Sequence, residues 1–232
     1  MHFAWEQLTD NVYRCRLPFC DVTIGLVRGR SGALLVDTGT TLVEAAAIDA
    51  DVRQLAGCTK HFDHILGSSV FTGAEIYCAP EVVDYLSSAT DQIRDEALHY
   101  GADPAEIDRA IAALRPPHHA VYDALIDLGD RSVTIAYLGR GHTSSDLVVI
   151  APGAAGEHAR TVVFTGDLLE ESADPAIDAD SDVAAWPATL DRLLAIGGPD
   201  TIYVPGHGKI VDAEFIRRQR DWLKGRTGFG AG

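Results

Sequence analysis

The sequence lacks the features of membrane, exported and zinc-ribbon proteins. No apolar run approaches the roughly 20 residues that a membrane-spanning helix needs. The N-terminus, MHFAWEQLTDNVYRC, has no basic region followed by an apolar one, so we expect no secretion signal and a cytoplasmic location. The four cysteines, at positions 15, 20, 58 and 78, form no CxxC pair, and in a reducing compartment free thiols are expected.

Basic residues are also scarce. The chain has 19 Lys and Arg residues against 34 Asp and Glu residues, a net charge of -15 at pH 7. Such a surface repels phosphate backbones and anionic membranes, so neither nucleic acid nor a membrane is expected as a partner. The partner that remains is a small-molecule substrate, and the sequence predicts no oligomeric state.

Several catalytic templates are missing as well. The sequence contains no GxSxG nucleophile elbow and no Walker A loop. No GxGxxG motif opens a helix after the first predicted strand, which argues against a dinucleotide site. Cys58 has no recognisable partner base, so a cysteine nucleophile is not indicated.

What the chain does contain is an alternation of β-rich and helical stretches over its full length. This pattern predicts one layered α/β domain spanning residues 1–232. Strands are predicted at residues 19–28 and 33–37, followed by a helix after Thr40 that ends at Gly57. Later strands are predicted at residues 74–78, 132–138, 147–152, 161–167 and 201–206, and helices at 80–114 with a break at GADP, 186–196 and 212–223.

Metal-ligand side chains follow four of the apolar runs in glycine-bearing loops. They occur in KHFDH, GRGHT, TGD and PGHG, and open α/β sheets build their sites at such strand ends. Imidazoles combined with carboxylates suit zinc, and also iron or manganese. A single histidine is more often a surface or core residue, but four in this setting indicate a metal site. The candidates are His61, Asp63, His64, His142, Asp167 and His207.

The order of these motifs carries a resemblance that covers nearly the whole chain. LLVDTG, an HxHxDH-like segment, GHTSSD, FTGD and PGHG follow one another as they do in the metallo-β-lactamase superfamily. The resemblance implies a four-layer αββα sandwich of two mixed β-sheets flanked by helices. It also implies a metal centre at one edge of the sandwich, holding one or two Zn²⁺ ions, with Fe or Mn as other possibilities.

The resemblance further implies a role for each candidate. His61 and His142 would hold the first metal, and Asp167 would bridge the two ions. The second metal would be held by Asp63, His64 and His207. Asp37, at the end of ALLVD, would support a ligand from behind and tune the metal.

One segment departs from the family pattern. Thr59 stands where the family has another histidine, two positions before His61. Only three residues separate Gly57 from His61, whereas a strand commonly has about 5–6 residues. One short deletion between Thr59 and Lys60 would explain both the missing histidine and the missing strand.

The function that these residues imply is metal-dependent hydrolysis of an ester, thioester, lactone, β-lactam or similar bond. A bound metal lowers the pKa of water to about 7 and polarises the electrophile. Asp63 is the candidate to orient that water and pass its proton to the leaving group, and the acidic segment GDLLEESADP is expected to border the cleft. Two alternatives remain, a non-catalytic or single-metal relative with an impaired first site, and a mono-iron sulfur dioxygenase.

Overall fold

The first sheet is built from the N-terminal strands. The computed structural model describes residues 2–52, 62–153, 160–198 and 200–227, apart from the side chains of residues 62, 63 and 227. Its described strands pair antiparallel in the order β1-β2-β3-β4. They are β1 (Glu6–Thr9), β2 (Val12–Arg16), β3 (Thr23–Arg28) and β4 (Ala33–Val36).

A second, mixed sheet faces the first. In the described part of the chain its order is β11-β10-β9-β8-β7, with β10 and β11 parallel and the other neighbours antiparallel. The parallel pair needs a crossover, which a helix supplies. The strands are β7 (Asp123–Asp127), β8 (Ser132–Tyr137), β9 (Leu147–Ala151), β10 (Val162–Glu170) and β11 (Ile202–His207).

The two sheets pack face to face over one apolar core. Val27 and Leu34 of the first sheet belong to the same buried cluster as Phe164 and Val204 of the second. A Cβ at Gly25 would overlap the ring of Phe164, so the glycine is what allows the sheets to approach here.

Helices cover both outer faces. Helix α1 (Leu42–Asp51) begins with a capping box between Thr41 and Glu44 and packs on the first sheet. Helices α6 (Trp186–Ile196) and α7 (Ala213–Thr227) pack on the second. The layers are therefore helix, sheet, sheet, helix, and the αββα sandwich predicted from the sequence is confirmed. None of the helices in the described ranges combines the length and apolar character that a membrane crossing requires.

A helical group fills the connection between the sheets. Asp103 caps α5 by accepting from the Glu106 amide, with Pro104 in the first turn, as predicted. The elements are α2 (Phe62–Ile65), a 3₁₀ turn (Ser68–Val70), β5 (Tyr77–Cys78), α3 (Pro80–Ser88), α4 (Thr90–His99), α5 (Pro104–Ala113) and β6 (His119–Ala120). β5 and β6 form a separate parallel pair.

Some predicted boundaries were wrong. The strand predicted for residues 19–28 begins only at Thr23, because Cys20 and Asp21 adopt positive φ in a turn closed by the Leu17 amide and the Val22 carbonyl. The strand predicted for residues 74–78 is reduced to Tyr77–Cys78. The predicted end of the first helix at Gly57 and the predicted deletion lie outside the described residues.

Candidate metal centre

His64 is the most firmly held of the candidate ligands. It lies in α2 and is buried, and its Nδ1 is 2.9 Å from Oδ2 of Asp37. Its backbone carbonyl accepts hydrogen bonds from the amide and the hydroxyl of Thr38, both at 2.8 Å. With Nδ1–H donated to Asp37, the lone pair of Nε2 is directed away from that carboxylate, which is how metal-binding histidines are usually oriented.

Asp167 lies inside a strand rather than at its end, which corrects the sequence-based expectation. β10 continues to Glu170, and its register against β11 shifts on both sides of Gly166, which has a φ of 51°. A Cβ at Gly206 would overlap Oδ1 of Asp167. The glycine on the neighbouring strand therefore leaves the space that the carboxylate occupies.

The other two histidines are each oriented by a backbone carbonyl. Nδ1 of His142 lies 3.1 Å from the carbonyl oxygen of Ala176, and Nδ1 of His207 lies 2.7 Å from that of Cys20. His142 follows β8, and His207 is the last residue of β11. In both rings the Nε2 atom faces Asp167.

The three imidazoles converge on the two oxygens of one carboxylate. Nε2 of His64 and Nε2 of His207 are each 3.4 Å from Oδ1 of Asp167, and Nε2 of His142 is 3.6 Å from Oδ2. Ligand atoms around a tetrahedral zinc ion, at bonds of about 2.0–2.1 Å, are about 3.3 Å apart. The side chains of His64, Asp167 and His207 thus have the spacing of a metal-ligand set, with their ligand atoms within 4.8 Å of one another.

The charge of Asp167 also suits a cation. Burial by itself raises the pKa of this carboxyl, but the imidazoles of His64 and His207 outweigh burial and hold the pKa well below its usual range. In the described part of the chain, its buried Oδ1 makes no hydrogen bond. An ionised carboxylate whose side chain is nine-tenths buried, with an oxygen 3.4 Å from two imidazole nitrogens as two ligands of one ion would be, fits a bound divalent ion.

The structure adds residues that sequence reasoning did not single out. Asp146, at the end of GHTSSD, is buried and accepts from the amide and the hydroxyl of Thr143, at 2.8 and 2.7 Å. Burial raises the pKa of Asp146, against the opposing charge of His142 and these hydrogen bonds. Trp186 lies beside the His142 ring, with centroids 5.7 Å apart. The sequence-level indication was a carboxylate three residues after a threonine, a spacing common in tight turns.

The remaining candidate site residues lie partly outside the described part of the chain. His61 and Thr59 lie outside the described residues. Asp63 belongs to α2, but its side chain lies outside them too, so its assignment as catalytic residue and ligand stays a prediction. Asp37 contacts His64, and its role in supporting a metal ligand stays a prediction.

Removing the carboxylate behind His64 is expected to weaken metal binding. In Asp37→Ala the buried Nδ1 of His64 loses its acceptor, and the ring is no longer held with Nε2 toward Asp167. We expect a 10–100-fold loss of metal affinity, measured by competition with a chromophoric chelator. Asp37→Asn keeps an oxygen acceptor and should lose less; equal affinity in the alanine variant and the parent would show that Asp37 does not orient the ligand.

A cleft opens beside two of the three imidazoles, those of His142 and His207. It encloses about 290 Å³, and His142, Asp167 and His207 form part of its floor. Its wall includes Glu170 and residues of the loop after β10, so the acidic segment predicted to border the site does so. A small acyl compound fits a cleft of this size.

Comparison with known proteins places these features in a family. The metallo-beta-lactamase superfamily model matches residues 60–207, beginning at the position where the sequence predicts a deletion. The chain is 32% identical over 107 residues to the metallo-beta-lactamase type 2 of Bacteroides fragilis, covering 45% of this chain and 41% of that protein. It is 29% identical over 102 residues to the metallo-beta-lactamase type 2 of Bacillus cereus, covering 43% and 37%.

The matches to curated relatives thus span about two fifths of those proteins' lengths. The structural likeness is broader. The DIM-1 metallo-beta-lactamase exposed to ceftazidime matches with a TM-score of 0.71 at 15% identity, over 97% of each chain. A second DIM-1 structure matches with a TM-score of 0.69 at 14% identity. At this level of identity the structures show a shared fold.

Proposed function

Because the chain belongs to the metallo-β-lactamase superfamily, we propose that it is a metal-dependent hydrolase whose ion is held at Asp167. One observation carries this proposal. Three imidazole Nε2 atoms, from three separate segments of the chain, approach the two oxygens of Asp167 at 3.4, 3.4 and 3.6 Å. Histidine nitrogens gathered around a carboxylate are the donor set of many zinc sites.

The donor set favours zinc, with iron or manganese as the other ions that nitrogen and oxygen ligands accept. When bound, such an ion supplies Lewis-acid catalysis and lowers the pKa of water to about 7. The side chains of the protein would hold and orient the ion. Asp167 offers one oxygen to the side of His64 and His207 and the other to the side of His142, which corresponds to the bridging role that the family resemblance implies.

Among the described residues, the two oxygens of Asp167 face different numbers of imidazoles. Its Oδ1 faces two imidazoles and its Oδ2 faces one. Thr59, in place of a histidine, would weaken the Oδ2 side further. We therefore expect one tightly held ion beside Oδ1 and a second, weaker ion beside Oδ2.

Catalysis needs a group that handles protons, and we assign this to Asp63. A carboxylate has two oxygens, so it can hold an ion with one and orient water with the other. The expected substrate is a small ester, thioester, lactone or β-lactam. The acidic chain, with its net charge of -15, supports neither nucleic acid nor an anionic membrane as partner and suits a cytoplasmic small-molecule enzyme.

Metal counting together with a substrate panel tests the proposal. The purified protein is analysed for metal per chain by mass spectrometry and assayed against esters, thioesters, lactones and β-lactams. We expect between one and two zinc ions per chain and turnover that a chelator abolishes and zinc restores. No metal and no turnover would contradict the proposal and favour a non-catalytic relative, and iron with dioxygen consumption would favour a sulfur dioxygenase.

A further inference from the structure

The walls of the cleft are acidic. Above the floor formed by His142, Asp167 and His207, carboxylates approach from two sides. Glu96 comes from α4, Glu170 is the last residue of β10, and the loop that follows contributes Asp174 and Asp178. No lysine or arginine is among the described residues that line this cleft.

Two arginines that are close in the chain to residues lining the cleft are paired with carboxylates. Arg16 bonds to Asp21, in the turn that also holds Cys20. Arg140 lies 3.5 Å from Asp182. Neither supplies a cation to the cavity, so the field inside it is set by the wall carboxylates and by whatever ion the floor binds.

The negative charges of Asp174 and Asp178 are offset to different extents by neighbouring cations. Arg226 reaches Asp174 at 3.8 Å, so the guanidinium offsets part of the charge of Asp174. Within the described ranges, no side chain forms an ion pair with the carboxylate of Asp178. Asp178 is thus the stronger electrostatic feature of the wall, and Asp174 adds to it.

A cluster of carboxylates alone does not make a binding site, but this cluster lines the same cleft as the candidate metal ligands His142, Asp167 and His207. The side chain of Asp167 is nine-tenths buried, lines the cleft, and presents an Oδ1 without a hydrogen bond in the described structure. The wall carboxylates and the floor line the same cleft, so a substrate that reaches the floor through this cleft lies close to the acidic wall.

The mouth of the cleft also has an apolar component. The side chain of Tyr100 lines it and is 59% exposed, and Ile177, between two lining residues, is 42% exposed. Ala173 and Ala176 line the same side as Asp174 and Asp178. An aromatic face beside carboxylates is the usual environment for an alkylated ammonium group, because the ring quadrupole and the negative charges both attract a cation.

We propose that this cleft selects substrates that carry an ammonium group close to the acyl bond to be cleaved, with Asp178 and Asp174 as the selecting residues and Tyr100 as an apolar wall. The proposal rests on the proposed hydrolase function for the position of the bond. The preference for a cation itself depends only on the cleft. It can therefore be measured by binding as well as by turnover.

The test compares three thioesters, one cationic, one neutral and one anionic, of which the first two have the same shape. Acetylthiocholine and its neutral isostere 3,3-dimethylbutyl thioacetate differ by one atom, N⁺ against C, and the thioacetate of 3-mercaptopropanoate is anionic. We expect the zinc-loaded protein to have a kcat/KM about tenfold higher for the cationic thioester than for the neutral one, and lower still for the anion. Added salt should reduce the preference.

The selecting residues are tested with the double variant D174N/D178N. The cationic-to-neutral ratio of kcat/KM should fall toward one. The matched control is D10N/D200N, which removes two exposed carboxylates that precede β2 and β11, whose far ends lead to the cleft. The control should keep the parent's ratio.

Binding of non-hydrolysable ethers separates the two proposals. The methyl ethers of choline and of 3,3-dimethylbutanol are titrated against the zinc-loaded protein by NMR. Tighter binding of the choline ether that disappears in D174N/D178N supports the cation preference, even if no thioester is hydrolysed. Hydrolysis of the neutral and cationic thioesters at equal rates overturns the preference and leaves the hydrolase function intact, and absence of both turnover and selective binding overturns both.

Discussion

Asp167→Ala is expected to lose its tightly bound metal and more than about a hundredfold of kcat/KM toward any substrate that the parent hydrolyses. The reason is geometric. Both oxygens of this one carboxylate face imidazoles, so its removal takes a donor from each side of the centre at once. Loss of a group that merely orients a ligand already costs about 10–100-fold in metal affinity, and loss of a shared ligand exceeds that.

The substitution also removes the anion that His64 and His207 share in the metal-free protein. Asp167→Asn separates charge from shape, because the amide keeps the volume of the side chain but not its negative charge. Metal per chain by mass spectrometry and kcat/KM are measured for both variants. The control is Asp200→Ala, which removes one exposed carboxylate just before β11, at the opposite end of that strand from His207. Full metal content in Asp167→Ala would mean that the ion is held elsewhere.

Trp186→Ala is expected to lower the free energy of unfolding by about 3–5 kcal/mol, the range for truncating a large aromatic residue in a core. Trp186 is fully buried at the start of α6, in the cluster between the second sheet and its helices. Its Nε1 donates to the Leu168 carbonyl at 3.1 Å, which ties the helix to β10 just beyond Asp167. The truncation leaves a cavity and removes one of two donors to the Leu168 carbonyl, which also accepts from Nε2 of Gln219 at 2.8 Å.

The same change is expected to reach the metal centre, because the indole lies against the His142 ring. Stability is measured by urea denaturation with a chelator present, so that metal loss does not contribute to the difference. Trp186→Phe keeps most of the apolar contact and should lose less, while Leu125→Ala, at a side chain 73% exposed on the edge strand β7, should stay within about 0.5 kcal/mol of the parent. A loss below about 1 kcal/mol in Trp186→Ala would show that this part of the core repacks easily.

Much of the fold could be read from hydrophobic periodicity. Helix α6 has the bounds predicted from the sequence, and the hairpin of β7 and β8 surrounds the predicted LGD turn. Long elements with one buried face repeat their pattern several times, and this makes them recognisable. Short elements fail for the same reason: β5 has two residues, and only its pairing with β6 makes it a strand.

The course of β10 shows a different limit. The sequence predicts that this strand ends at Gly166-Asp167, since Gly-Asp is a common turn. The strand instead continues to Glu170 with a shifted register against β11. Register depends on the neighbouring strand and on the contact with Gly206, which lies 39 positions further along the chain.

The sequence by itself determined the family and the identity of the candidate ligands, because imidazole and carboxylate groups occur in a rare order beside glycines. Only the tertiary structure decided how those ligands are aimed. Nδ1 of His207 meets the carbonyl of Cys20, and Nδ1 of His142 meets that of Ala176. Every residue has a backbone carbonyl, so no residue type marks these acceptors, and folding alone selects which carbonyl lies behind each ring.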